Sequence, residues 1–481
     1  MKKPHAPRPI QLGKPITRRR FLGEASCAAV SALPLLNTLL NLKLAGEVAG
    51  AEPGAGEYRA LVCLFLSGGN DSFNMLVPRG ATEYAEYALI RQDLALPAEG
   101  QPGGLLPLNP TNPMGGLQLG LHPAMPELQQ LFEQGDAAFV TNVGTLVEPM
   151  TKAQYQSGSV PRPLGLFSHS DQVEQWQTSL PDTRSGVGWA GRLADVLRGL
   201  NANDKVSMNI SLAGSNLWQS GRTVFPYAIT SSGAVGLQGY TLNYTNNTLN
   251  QIRSAAVDGQ LAQAYSNLLA QTFANFKKDA VESYDLFSSS TSADLPGNPA
   301  FPSTNLARQL QMVAKTIAGR QGLGMTRQTF FVNYGGWDHH DEVINNQQVM
   351  LGYVSQAVGA FYNALVALGV QDQVTLFTAS DFGRTLTSNG QGSDHAWGGN
   401  YFVVGGGVNG RQIYGQYPSL YQNNSLDVGR GRLIPGISVD QYFAELALWL
   451  GVSPASLPLV LPNIDRFYDT SSPAWPVGFL A

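Results

Sequence analysis

Cysteine is nearly missing from this chain: 481 residues contain two, Cys27 and Cys63. Charge is thin as well, at 13% Asp, Glu, Lys and Arg, about half the usual share. Histidine occurs six times. Each scarcity excludes something. Cys27 falls in an N-terminal stretch that reads as removable, so Cys63 remains alone and no intramolecular disulfide can form; inside its apolar run it reads as a small core residue. Gly at 53 and Pro at 29 point instead to many turns and long ordered loops. A hydrophobic content of 43% is ordinary, and the length suffices for one large or two medium domains with a sizeable core.

The first 51 residues read as an export signal. TRRRFLG (17–23) carries the twin arginines Arg18 and Arg19, followed by Phe21 and Leu22. A moderately apolar stretch runs from Ala25 to about Leu44 and ends near the small residues Ala49-Gly50-Ala51. Pro34, Asn37, Asn41 and Lys43 interrupt it, which fits a membrane-spanning helix poorly. Residues 1–51 hold eight of the 30 Lys and Arg but two of the 34 Asp and Glu; without them the formal charge falls from −4 to −10. That argues against nucleic acid or an anionic membrane as partner. The twin-arginine translocase would be the export partner, with no stable membrane span left after cleavage. A chain exported already folded needs no disulfide and is able to acquire a metal beforehand.

Downstream, short apolar runs end in polar clusters. YRALVCLFL (58–66) reads as a buried strand and stops at Ser67-Gly68-Gly69-Asn70-Asp71. AAFVTNV (137–143) and KVSMNISL (205–212) are further strand candidates, and a helix is predicted over 125–134. Helical periodicity covers about 249–286. SSSTSADLPGNPAFPS (288–303) is a polar loop, and another helix is predicted over 305–321. TFFVNY (329–334) runs into GGWDHHDE, VTLFTA (374–379) into SDFGRT, and YFVV (401–404) follows GSDH (392–395). Long helices are predicted over 345–368 and 439–450. Strands alternating with helices imply an α/β sandwich with a mostly parallel sheet. Ligands in such sheets collect beyond the carboxyl ends of the strands, where these clusters fall.

Imidazoles and carboxylates together suit zinc, manganese or iron, and one Asp with two His is a common set for a catalytic ion with an open position. Asp338, His340 and His395 form such a set. Asp71 and Asp381 follow two other strands. Blander readings stand beside these: a turn carboxylate for Asp71, a helix N-cap for Ser168, a structural ion pair for Arg384, and a turn-shaping role for His122.

The motifs GGNDSFN (68–74), LHPAMPEL (121–128), SHSDQ (168–172), GGWDHH (335–340), SDFGRT (380–385), GSDHAWGGN (392–400), ISVDQYFAELALWLGV (437–452) and LPNIDRF (461–467) occur in order. With them the chain resembles the exported bacterial family called domain of unknown function 1501, in the alkaline phosphatase and sulfatase superfamily. The resemblance implies a doubly wound α/β domain over 52–481, with a mostly parallel sheet flanked by helices and a partly helical insertion at about 205–300. It also implies one or two divalent metals (zinc, manganese, calcium or iron). Asp338, His340 and His395 then correspond to a first metal site, and Asp71 and Asp381 to a second. Ser168 corresponds to the nucleophile, and Arg384 would hold an anionic group.

Two positions depart from the superfamily pattern. Phe382 stands where a histidine usually follows the aspartate, with His169 as the available substitute. His340 lies two residues after Asp338 rather than four. Two functions stay open. One is a metal-dependent hydrolase of a small phosphate or sulfate ester. The other is a non-catalytic envelope protein that binds a glycan, an anion or a partner on the same scaffold.

Overall fold

The structure, a computed structural model, describes residues 57–112, 114–240 and 248–480. The export signal read over residues 1–51 lies outside them. Nine strands form the main sheet: β1 (Arg59–Ser67), β2 (Ala137–Gly144), β3 (Asn209–Ser211), β4 (Tyr227–Ala228), β5 (Arg327–Gly335), β6 (Val374–Ser380), β7 (Gly399–Val404), β8 (Ile413–Tyr414) and β9 (Ile437–Ser438). Their order is β8-β2-β7-β6-β1-β5-β3-β4, with β9 also on β2. β7 alone runs antiparallel to its neighbours; the pairs β1–β5, β1–β6, β3–β5 and β3–β4 are parallel. A mostly parallel, doubly wound sheet is therefore present. A separate three-stranded sheet joins Leu76–Pro78, Leu119–Leu121 and Leu106–Pro107.

The central strands explain their own place. RALVCLFLS is buried at every position between its ends, as a strand with helices on both faces requires. The longer helices among the described residues are α1 (Ala81–Arg91), α2 (Pro126–Gln134), α3 (His169–Thr178), α4 (Trp189–Leu197), α5 (Thr248–Ala262), α6 (Leu268–Ser290), α7 (Asn305–Ala318), α8 (Val343–Ala367) and α9 (Val439–Leu450). Neighbouring residues of β7 show the two layers. Phe402 meets Phe139 and, through it, Phe132 of α2. Tyr401 points the other way, to Trp176 of α3 and Tyr442 of α9. α7 and α8 pack together and α8 packs on α2. α8 has the length and composition of a membrane span, yet it lies buried in this layer over much of its length.

Local signals set the boundaries. Ser438 and Gln441 form a capping box at the start of α9, and Gly451 ends it at φ +113°. The helix expected over 249–286 is instead two, because Asn267 caps α6 by accepting from the Leu269 and Ala270 amides. The strand expected over 205–212 shortens to three residues. The stretch read as an insertion at 205–300 begins inside the sheet, since β4 is one of its edge strands and β3 the strand beside it; the helical pair α5–α6 follows.

The core on the α9 side centres on Trp189, fully buried, stacked on Phe443 at 4.5 Å and edge-on to Trp218 at 5.4 Å. Trp189→Ala is expected to cost about 3–5 kcal/mol, read as the shift of a urea unfolding curve. A loss below about 1 kcal/mol would mean that this aromatic cluster does not carry the core.

Candidate metal centre

β5, β1 and β6 lie side by side, and register aligns their carboxyl ends: Ser67 pairs with Gly335 and Leu66 with Ser380. The segments that follow, Gly68–Asp71, Gly336–His340 and Asp381–Thr385, therefore start at one edge of the sheet. They approach closely. Gly68 has φ +119°, and a Cβ there would lie 2.5 Å from the Asp338 amide nitrogen, so only glycine lets these two loops touch.

Asp338 Oδ1 is the focus of three imidazoles. His340 Nε2 lies 3.1 Å from it, and His169 Nε2 and His395 Nε2 each 3.4 Å. His340 and His395 face each other, Nε2 to Nε2, at 3.0 Å. Ligand atoms of His169, Asp338 and His395 all fall within 4.8 Å of one another. Each ring is held from behind by its other nitrogen. His169 Nδ1 meets Asp381 Oδ2 at 2.7 Å, His340 Nδ1 meets Asp394 Oδ1 at 3.0 Å, and His395 Nδ1 meets the Phe167 carbonyl at 2.8 Å. A carbonyl or carboxylate only accepts, so each Nδ1 carries the hydrogen, and in the neutral ring each Nε2 presents a lone pair. Such backing by oxygen acceptors is how metal-ligating histidines are oriented.

With neutral rings, three imidazole lone pairs thus face Asp338 Oδ1, which is itself bonded by Arg384. Two neutral imidazole lone pairs 3.0 Å apart, beside a carboxylate oxygen, repel unless a proton or a metal cation lies between them. His169 Nε2 is buried and makes no hydrogen bond. The donor set therefore fits a bound metal ion: three imidazole nitrogens and one carboxylate, with the Asp338 and His340 side chains 47% and 45% exposed, which leaves one side open.

The titration behaviour has identifiable causes. The Asp381 hydrogen bond raises the His169 pKa against the opposing effect of burial. Burial lowers that of His395, with the Arg384 charge adding to it. For Asp338, burial pushes up, but the Arg384 hydrogen bond and charge hold it below its ordinary value. For Asp394, burial again pushes up, while bonds from Asn389, His340 and Arg430 hold it down, to about 2.

Of the residues predicted from the sequence, Asp338, His340 and His395 come together, and His169 joins them. His169 opens α3, far from the other ligands in sequence; its only signal was its place in the SHSDQ motif. Asp381 stands behind the centre rather than in it: its Oδ2 takes the His169 ring and its Oδ1 the Gly68 amide at 3.0 Å. Asp71 lies in a buried network with an arginine and a serine. It is 1% exposed and its Oδ2 is held by Arg91 at 2.6 Å and Ser393 Oγ at 2.7 Å, so it ties the loop after β1 to the segment around Ser393. Phe382 lies beneath the ligands, its ring centre 4.8 Å from that of His169 and 4.7 Å from that of His395.

Arg384 does not reach out to an anion. It is 0% exposed. Its donors go to the carbonyls of Gly69 (2.9 Å), Ser393 (2.9 Å), Trp337 (3.2 Å) and Gly68, and to Asp338 Oδ1 at 2.5 Å. Ser168 occupies the N-cap position of α3 without capping it through its side chain; its Oγ lies 3.2 Å from Ser170 Oγ. His122 shapes a turn, its Nδ1 accepting the Ala124 amide at 3.1 Å. His339 is buried and turned aside against Trp337.

The model of the family described as "Protein of unknown function (DUF1501)" matches residues 58–430. The chain belongs to this family. The match spans the three strand-end loops and all four residues of the candidate centre. A comparison with curated proteins gives no significant match. Among solved structures, the chain is similar to Ps i-CgsB in complex with k-i-k-neocarrahexaose (TM-score 0.32, 10% identity, 86% of this chain and 78% of that one). It is also similar to the C-terminal periplasmic domain of EcEptC from Escherichia coli (TM-score 0.34, 11%, 87% and 90%). A mutant of alkaline phosphatase PafA is a third (TM-score 0.24, 14%, 70% and 64%). The fold assignment for this member of the family stands on the strand order and pairing given above.

Asp394 links the centre to pH. Its folded pKa, about 2, lies below the ordinary 3.8. A depressed carboxylate contributes stability that is complete above the unfolded value and lost as pH falls through the folded one. Metal-free protein should therefore lose roughly 2 kcal/mol from this group between pH 5 and pH 1.5. Asp394→Asn should lack that part of the acid slope in urea titrations. An unchanged slope would show that the Asp394 anchor does not form.

Proposed function

We propose that the chain is an exported metal-dependent hydrolase of a phosphate or sulfate ester, with one divalent ion held by His169, Asp338, His340 and His395. The observation that carries this reading is the convergence of three backed imidazoles on one carboxylate oxygen at an exposed strand-end site. The imidazole-rich set favours zinc, manganese or iron and disfavours calcium, which takes six to eight oxygens. When bound, the ion supplies Lewis-acid stabilisation of negative charge on the ester oxygens.

The remaining work falls to the chain. Asp338 lowers the charge of the centre and, through Arg384, keeps its position. Asp381, Asp394 and the Phe167 carbonyl fix the ring tautomers. Ser168 precedes His169 directly, its Oγ unused by the helix backbone, at the N-terminal end of α3, where partial positive charge favours an anion. In this reading Ser168 Oγ gives up its proton and bonds to phosphorus or sulfur as the ester oxygen leaves and is protonated to the alcohol; water then cleaves the phosphoryl- or sulfuryl-serine and restores Ser168. Arg384 is a positioning residue.

A second reading has its own observation. Asp71 and Asp381 bond Arg91 and His169, and Phe382 packs on two of the rings, which favours one ion over two. A binding protein for a glycan or anionic partner, with a single structural ion, fits that economy of ligands.

Metal content per chain, by elemental mass spectrometry on protein matured through export, tests the centre. About one tightly held transition metal is expected, lost in His169→Ala and in His340→Ala/His395→Ala, while Asp71→Asn keeps it. Turnover of an aryl phosphate or aryl sulfate should fall at least about 100-fold in the same ligand variants. Metal retention by His169→Ala would remove His169 from the site. A metal-loaded wild type inert across the esters would favour the binding protein.

A further inference from the structure

The centre needs a cation to receive a substrate anion, and the arginine expected in that role is spent inside the fold. Other arginines around it are also engaged. Arg91 is fully buried against Asp71, and Arg184 is paired with Asp171 and Glu174. Arg430 pairs with Asp394 at 2.6 Å. Arg432 differs. Its Nε donates to the His395 carbonyl at 2.9 Å, and its guanidinium carbon lies 5.0 Å from the centre of the Phe167 ring. It is half-buried and, among the described residues, has no carboxylate at ion-pair distance. One edge of its fork is used; the other, with the two terminal nitrogens, is not.

The backbone that delivers Arg432 is constrained. Gly429, Arg430 and Gly431 all have positive φ (+122°, +62° and +73°), a costly run for the arginine at its middle. Asp427 Oδ1 holds the turn by accepting the Gly429 amide at 2.7 Å and the Gly431 amide at 2.9 Å. Phe167, on which Arg432 stacks, is itself at φ +73°; its carbonyl backs His395, and Ser168 follows it in sequence. One loop thus places an arginine against both His395 and the segment Phe167–His169.

We propose that Arg432 is the anion-recognition residue of this centre, and that the anion is doubly charged: a phosphate monoester rather than a diester or a sulfate ester. This rests on the metal-centre reading above and narrows it. Asp338 and Asp381 against Arg384 and a divalent ion leave one positive charge, and Arg432 makes two. A phosphate monoester carries nearly two negative charges at neutral pH, while a diester or a sulfate ester carries one. A flat guanidinium edge offers two parallel donors to two phosphate oxygens.

The test uses full-length, metal-loaded protein and two inert probes of the same shape, phenylphosphonate and benzenesulfonate, titrated calorimetrically at pH 8.5. Wild type should bind the doubly charged phosphonate at least tenfold more tightly than the sulfonate. Arg432→Gln should lose that tenfold preference while elemental analysis still finds its metal. Equal preference in wild type and Arg432→Gln overturns the proposal. So does a metal-loaded wild type that binds neither probe, and that outcome leaves the metal centre standing. A wild type without metal brings down the centre and this proposal together, and is seen in the metal analysis alone. Should Arg432→Gln lose its metal, the unmutated protein decides. Phenylphosphonate should then slow phenylglyoxal modification of Arg432, mapped by peptide mass, several-fold, and no protection overturns the assignment.

Discussion

The buried guanidinium of Arg384 is the interaction on which the site depends. A lone charge removed from water is costly unless its donors are satisfied. Here four backbone carbonyls and one carboxylate meet them, drawn from the loops after β1 and β5 and from the segment at Ser393. The same bonds set the spacing of those loops. Gly68 and Gly69 are held where a side chain would collide with Trp337, Asp338 and Phe382. Asp338 is drawn to the point where the imidazoles converge. Arg91 repeats the device one layer away, bonding Asp71, Asn74 and the carbonyls of Thr385 and Leu386. Two buried arginines thus fasten loops that no disulfide could.

Backing by oxygen acceptors does for the rings what Arg384 does for the loops. A surface imidazole turns freely and exchanges tautomers. In this chain Asp381, Asp394 and the Phe167 carbonyl fix three rings by their Nδ1 atoms, and all three Nε2 lone pairs turn inward. The arrangement costs electrostatic repulsion that a cation relieves. It also explains why the acids seen in the sequence exceed the ligands: Asp381 and Asp394 act on histidines.

What was legible in the sequence follows from how locally it was encoded. β1, β5 and β6 declared themselves as short apolar runs, and their polar ends placed the site, because parallel strands put their carboxyl ends together. Asp338, His340 and His395 were readable for the same reason. His169 was read only as an available substitute, because helix α3 brings it in from another part of the chain. Arg384 was left between an anion clamp and a structural ion pair because burial has no local signature: an arginine in SDFGRT looks the same whether it meets solvent or five acceptors. The ion pair of Asp71 was hidden on the same ground, its partner Arg91 lying on α1. The long helical stretch after residue 248 hid a break that Asn267 imposes.

Phe382 bears on the chemistry more than a missing ligand would suggest. A second ion near Asp381 would need the space its ring fills between His169, His395 and Gly69, and would have to draw Asp381 off His169. The ring instead packs against two of the imidazoles, its centre 4.8 Å and 4.7 Å from theirs. A single ion so supported is able to neutralise only part of the charge that develops on a transferring phosphoryl or sulfuryl group. The remainder has to be met by fixed protein donors on the open side. There the chain offers the start of α3 and the loop that carries Arg430 and Arg432, so in a one-ion centre of this shape discrimination among substrates would rest with that loop more than with the metal.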